Sequence, residues 1–245
     1  MSLAAQLDDA GYARLPAAWD ATACLSAVDA LERIGAAGGD GVLRTRRGVY
    51  GLRHVERLWP ELAAELRASP LAATLRALLG DDALLVRAIL FDKPPGQGWG
   101  VDWHRDQSIA VRAHTPAPPG YQRPTVKHGV PHLDAPSPLL DRMLIARVHL
   151  DPASTANGAL QVLPGSHREA DLSDAAIADR VAAGAADTIV AAVGEALLMR
   201  PRLYHASSPP PTPTTAHRRV LHLECAPAAA LPPPLTWACR VPLRD

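Results

Sequence analysis

The chain has 245 residues, with 25 basic and 25 acidic side chains and no formal net charge, so its overall charge does not draw it to nucleic acid or to an anionic membrane. Its length suits one substantial core, and a single domain over 1–245 is expected. Cys24, Cys225 and Cys239 are odd in number, far apart and without a CxxC pair, which argues against a disulfide framework or a cysteine zinc site. With no basic-then-apolar leader and no apolar run of membrane length, the expectation is a cytoplasmic protein that acts on a small molecule.

In chain order, residues 20–34 carry Leu25, Val28 and Leu31 at helical spacing, with Asp20 placed as N-cap and Gly35 as a stop. The segment GVLRTRRGVYGLRHV (41–55) reads as a strand or hairpin. From Pro60 to Leu79 a second helical region carries Leu62 and Leu66, then Leu71, Leu75 and Leu78, and Pro70 divides it in two. Residues 1–82 are thus expected to be a mainly helical part packed on a core that occupies 83–245. There the pattern becomes a series of short apolar runs between Pro and Gly: ALLVRAILFDK, VDWHRDQSIAV, MLIARVHL, GALQVLP, TIVAAV, EALLMRP and RRVLHLECA. Such strands argue for a mainly β sandwich or barrel. The stretch from Arg112 to Asp141 is polar, Pro-rich and longer than an ordinary connection, and is read as a lid beside an active site.

Along a strand, His104 and Asp106 would share one face and Arg105 would take the other. His205, just after the apolar run EALLMRP, can complete a set of metal ligands. Two histidines and one carboxylate on one face of an octahedral ion leave its other positions open, as in non-haem Fe(II) oxygenases. Those positions can take a bidentate 2-oxo acid and O2. The acid's distal carboxylate then needs an inward cation, for which the planar fork of arginine is suited. AHRRVLHLECA offers Arg218, 13 residues after His205, although strand alternation admits either Arg218 or Arg219 and not both.

The segments FDKPPGQGWGVDWHRDQ, NGALQVLPGSH, LLMRPRLYHASSP and HRRVLHLE, in this order over roughly 83–227, resemble the successive motifs of the phytanoyl-CoA dioxygenase-like family of Fe(II)/2-oxoglutarate oxygenases. The resemblance implies a double-stranded β-helix (jelly-roll, cupin-like) core with flanking helices, iron bound by His104, Asp106 and His205, and 2-oxoglutarate and O2 as co-substrates. It also implies that Arg218 holds the distal carboxylate, and that Ser207 and Ile89 are further 2-oxoglutarate contacts. Asp106 stands where halogenating relatives carry a small residue, which favours hydroxylation. The 112–141 stretch is longer than its counterpart in the phytanoyl-CoA enzyme, and basic clusters for CoA phosphates are not evident, so acyl-CoA specificity is not carried over.

Trp103 and Gln107 flank the ligands and either line a pocket or pack the barrel. Lys127, His128 and His132 are substrate contacts if their segment is a lid, and surface residues otherwise. Arg147 and Gln161, polar within apolar strands, are further pocket candidates. His149 and His222 read as hydrogen-bonded core residues, and His167 as a turn anchor. Two rivals to a hydroxylase remain at this point: a related oxidase that desaturates or cyclises, and a non-catalytic jelly-roll module that binds a small ligand or structural metal.

Overall fold

The structure is a computed structural model and describes residues 1–96, 98–113 and 117–244. Helix α1 (Leu3–Asp9) begins at Ser2, whose hydroxyl accepts from the Ala5 amide, and strand β1 (Tyr12–Leu15) follows. Helix α2 (Ala21–Ala37) begins at Asp20, whose carboxylate accepts from the Ala23 amide at 2.8 Å. It does not stop at Gly35, which lies inside the helix against Val49; Gly38, at φ +75°, ends it. Leu25 is 66% exposed, and the buried stripe is Cys24, Ala27, Val28 and Leu31. Small side chains let the helix lie close to the layer beneath it, and Leu25 falls outside that stripe.

Strands β2 (Val42–Thr45) and β3 (Gly48–Arg53) form the expected hairpin, and a short helix α3 (Val55–Leu58) follows. Pro70 separates α4 (Leu62–Ala68) from α5 (Pro70–Leu79) by opening the second helix, a position where its missing N–H breaks no bond. The remaining elements are β4 (Ala83–Lys93), β5 (Val101–His104), β6 (Ser108–Ala110), β7 (Gln122–Lys127), β8 (Val130–Asp134), α6 (Ser137–Leu140), β9 (Leu144–His149), β10 (Leu160–Val162), α7 (Asp174–Ala182), β11 (Asp187–Ile189), β12 (Ala196–Met199), β13 (His205–Ser207), β14 (Arg218–Pro227) and β15 (Val241–Pro242).

A large antiparallel sheet runs β1-β12-β9-β14-β4-β3-β2, with β15 also on β4, and a smaller one runs β11-β10-β13-β5. Alternation divides the large sheet into two faces. Its outer face, with Leu90, Ala146, Val148, Leu198, Leu221 and Leu223, packs under the helices through Leu31, Leu62, Leu66 and Leu75. Its inner face meets the small sheet, where Ile145, Leu197 and Met199 pack on Leu160, Val162 and Ile189. Two facing antiparallel sheets with helices on one side make the core a jelly roll.

Of the 112–141 stretch, residues 114–116 lie outside the described residues. The rest is less loop-like than its composition suggests: β7 and β8 form a hairpin that joins β6 in a third sheet, ordered β6-β8-β7. Leu133 and Leu139 bury with Ile109, Val111 and Trp237 in a separate core. Pro124 sits on the edge strand β7, within a register shift between Gln122 and Thr125, where no ladder bond depends on its nitrogen. No helix among the described residues is long and apolar enough to cross a membrane.

Candidate metal centre

Strands β13 and β5 pair so that His205 lies directly opposite His104, and their rings are 4.2 Å apart. Strand β5 ends at His104, so Asp106 reaches the same point from irregular chain and not from the continuous strand expected. The Asp106 amide donates to the Pro201 carbonyl at 2.9 Å, which turns the chain after the strand. Arg105 faces away from the barrel interior, as alternation requires, but is buried. Its guanidinium donates to the Ser166 and Glu169 carbonyls at 2.6 and 3.0 Å, pairs with Asp171 at 2.7 Å, and stacks on Tyr204. The residue between two candidate ligands thus anchors both.

One ligand atom from each of His104, Asp106 and His205 lies within 4.8 Å of the others, and they are the only such His/Cys/Asp/Glu group among the described residues. The Nδ1 of His104 bonds the Asp102 carbonyl at 2.8 Å, and that of His205 bonds the Leu203 carbonyl at 2.9 Å. A carbonyl only accepts, so each Nδ1 carries the proton and each Nε2 presents a lone pair. Those Nε2 atoms lie 3.9 and 3.5 Å from the Asp106 carboxylate oxygens. Burial lowers the His205 pKa to about 4, which keeps the imidazole neutral. Burial alone would raise the Asp106 carboxyl, but His205, His222, His104 and Arg87 together hold it well below the usual carboxylate range. Asp106 Oδ2 is buried and has no hydrogen-bond partner. Two imidazole Nε2 atoms turned toward an ionised, under-partnered carboxylate are a donor set that can hold a divalent metal.

The three side chains line a cavity of about 110 Å³, together with Phe91, Trp99, Leu160, Arg147, Ser207, Arg218 and His222. Arg218 is 2% exposed; its Nη2 donates to Ser207 Oγ at 3.4 Å and its Nε has no partner. Burial, and then Arg147, lowers its pKa to about 10, so it remains a cation. Arg219 faces the other way, as expected, but it is not a solvated charge. Asp151 accepts from its Nε at 2.7 Å and its Nη2 at 2.9 Å, and Glu32 accepts from its Nη1.

The other sequence candidates separate clearly. Ser207 lines the cavity and donates to the Gly158 carbonyl at 3.0 Å. Arg147 lines it and donates to His222 Nδ1 at 3.0 Å. Ile89 is on the same inner face, opposite His222, without reaching the cavity wall. Trp103 packs outside the small sheet near Leu163, Ile177 and Tyr204, and Gln161 also faces outward, accepting from Ser208 Oγ. Gln107 and Lys127 line a separate groove beside the Arg105–Ser108 turn. His128 meets Asp40, and His132 is fully buried with Nδ1 on the Val130 carbonyl.

Two inner-face residues escaped the sequence reading. His222, taken for core, lines the cavity. Lys93, opposite Arg218, is 1% exposed; its ammonium donates to the Ser208 carbonyl at 2.7 Å, and burial, followed by Arg218 and Arg147, lowers its pKa to about 7. Its even spacing from Phe91 was the available signal.

No curated protein matches the chain in sequence. Among solved structures, it is similar to AviO1 from Streptomyces viridochromogenes Tue57, with a TM-score of 0.68 and 22% identity over 95% of this chain and 96% of that one. It is also similar to EctD from S. alaskensis with bound Fe, at 0.73 and 20% over 94% and 78%. A third is the non-heme alpha ketoglutarate dependent carbocyclase SnoK from nogalamycin biosynthesis, at 0.67 and 14% over 93% and 85%. The family model for phytanoyl-CoA dioxygenase (PhyH) matches residues 7–220, a span that contains His104, Asp106, His205 and Arg218. With the jelly-roll core and its converging ligands already in place, that match settles the family: the chain belongs to the phytanoyl-CoA dioxygenase (PhyH) family.

Proposed function

We propose that the protein is an Fe(II)- and 2-oxoglutarate-dependent dioxygenase that hydroxylates a C–H bond of a small organic molecule, with release of succinate and CO2. The observation that carries this reading is the presence of His104, Asp106, His205 and Arg218 in the wall of one cavity. His104, Asp106 and His205 would hold the iron, which with 2-oxoglutarate and O2 supplies the oxidising chemistry. Arg218 would pair with the distal carboxylate of 2-oxoglutarate, and Ser207 would contact it. The carbonyls of Asp102 and Leu203 keep the two imidazoles in the ligating tautomer. Phe91, Trp99 and Leu160 surround the reacting space with apolar surface that excludes water.

The likeness to a carbocyclase favours a second reading, in which the same centre cyclises or desaturates its substrate. The two differ in where the substrate lies relative to the iron, and product analysis separates them. Anaerobic addition of Fe(II) and 2-oxoglutarate should produce a metal-to-ligand absorption band, and O2 should then yield succinate. His104→Ala, Asp106→Ala and His205→Ala should each lose both signals. Tight Fe(II) binding by the His104→Ala, Asp106→Ala double variant would overturn the ligand assignment, and a loaded wild-type protein that makes no succinate would be a binding module instead.

A further inference from the structure

Two arginines, Arg147 of β9 and Arg218 of β14, line the metal cavity. Register sets them on the inner face, because Arg147 lies opposite His222, four residues along β14 from Arg218. At the usual strand rise and spacing their Cα atoms are about 14 Å apart. The Arg147 side chain leans into that gap: its Cζ stands 5.6 Å from the ring centre of Phe91, which lies opposite Val220, midway between His222 and Arg218. The Arg218 guanidinium reaches Ser207, two residues beyond His205 on β13.

Arg147 is 6% exposed and Arg218 2%. Among the described residues, neither guanidinium has a carboxylate within 4.0 Å, and the Nε of each is buried without a partner. The hydrogen bond that Arg147 does make goes to a neutral acceptor. Its Nη1 donates to His222 Nδ1, so the His222 proton sits on Nε2, which donates to Glu224 Oε1 at 3.4 Å. Glu224 itself is paired with Arg87, and Asp106 faces His104 and His205, so the nearby acids are engaged. Burial lowers the Arg147 pKa to about 10, which leaves it a cation at neutral pH. A buried charge without a counter-charge is costly, and this cavity holds two.

We propose that Arg147 is a second carboxylate contact for 2-oxoglutarate: it holds the carboxylate at the 2-oxo end while Arg218 holds the distal one, so that the cavity recognises a dicarboxylate even before a metal is bound. A dianion with a carboxylate at each end gives both arginines their missing partner at once. Two separate ligands do not fit, because about 110 Å³ is well below the roughly 300–1,000 Å³ of pockets for drug-sized molecules. His222 is a positioning residue here, since its Nδ1 fixes one edge of the Arg147 fork and leaves the Nε side open. That the diacid is 2-oxoglutarate rests on the function proposed above; the match of two buried arginines to two carboxylates does not.

Glutarate is the probe, because it has the five carbons and two carboxylates of 2-oxoglutarate without the oxo group that chelates. Pentanoate lacks one carboxylate. In calorimetric titrations of the metal-free full-length chain, the wild type should prefer glutarate over pentanoate by about a hundredfold, toward the lower end of what losing a buried charge partner costs. Arg147→Met, a swap of similar volume, should weaken glutarate by about the same factor and pentanoate much less, so that the preference disappears; Arg218→Met should do likewise. Glutarate bound by Arg147→Met as tightly as by the wild type would take Arg147 out of the co-substrate site, and an equal loss of both acids would make its role structural. No preference for glutarate in the wild type, which is read without any variant, would overturn the two-carboxylate site outright. None of these titrations involves iron, so a protein with the preference and no absorption band would keep the diacid site and lose the iron reading.

Discussion

Arg218 and Arg219 show how much a single position decides. One faces the cavity with an unpartnered Nε, and the other is clamped by Asp151 on the outer face. Arg218→Ala should weaken 2-oxoglutarate binding by roughly two to four decades, from the about 3–5 kcal/mol lost when a buried pair is broken. Arg219→Ala should leave that affinity nearly unchanged and lower stability by about 1–3 kcal/mol, because Asp151 loses its charged partner. Absorption-band titrations and urea midpoints of both variants check this, and the opposite pattern would mean a register displaced by one residue. At this scale the sequence was legible where residue type itself implies chemistry, as for His104, Asp106 and His205. It was not legible for Lys93, His222 or Arg105, whose roles depend on neighbours from distant strands. Ser208 and Gly158, for example, make Lys93 part of the interior, and neither is near it in sequence.

Among the elements, α2 and the β7–β8 hairpin make different demands. Gly35 lies in the last turn of α2, where a Cβ would meet Val49 at an ordinary 3.6 Å. Gly35→Ala should therefore stabilise the protein by about 0.5–1 kcal/mol through helix propensity and a more restricted unfolded chain, measurable as a raised urea midpoint. The hairpin is joined to the barrel near Lys127 by the His54 contact, while Val126 beside it is 62% exposed. We propose that it acts as the lid: amides of 122–134 should exchange faster than those of β14 in the free protein and slow when substrate is bound. Full protection without substrate would make the segment a fixed wall. Helices α2, α4 and α5 were readable from caps, spacing and Pro70, apart from the end of α2, whereas the shorter helices and the hairpin were not. Its prolines and few apolar residues resemble a loop, and its burial depends on Trp237, more than a hundred residues away.

For the molecule as a whole, buried histidines set the response to acid. His132 and His149 are 0% and 2% exposed, and burial lowers both pKa values to about 4. Below the ordinary histidine value near 6.5 the unfolded chain takes up protons that the folded chain does not, so stability is complete above that pH and declines toward pH 4. The loss can reach about 3 kcal/mol for each histidine. Urea midpoints should fall across this window, and His149→Asn should flatten the fall; a midpoint constant from about pH 7 to pH 4.5 would count against neutral burial. The two faces of the large sheet also have a consequence for engineering. Leu90, Leu221 and Leu223 alternate with Phe91, Val220 and His222 along the same strands, one set under the helices and the other toward the barrel interior. A combinatorial library restricted to inward, cavity-lining positions such as Phe91 and Leu160 would leave the helix-packed set untouched, so the search for new substrates can proceed with little loss of folded clones.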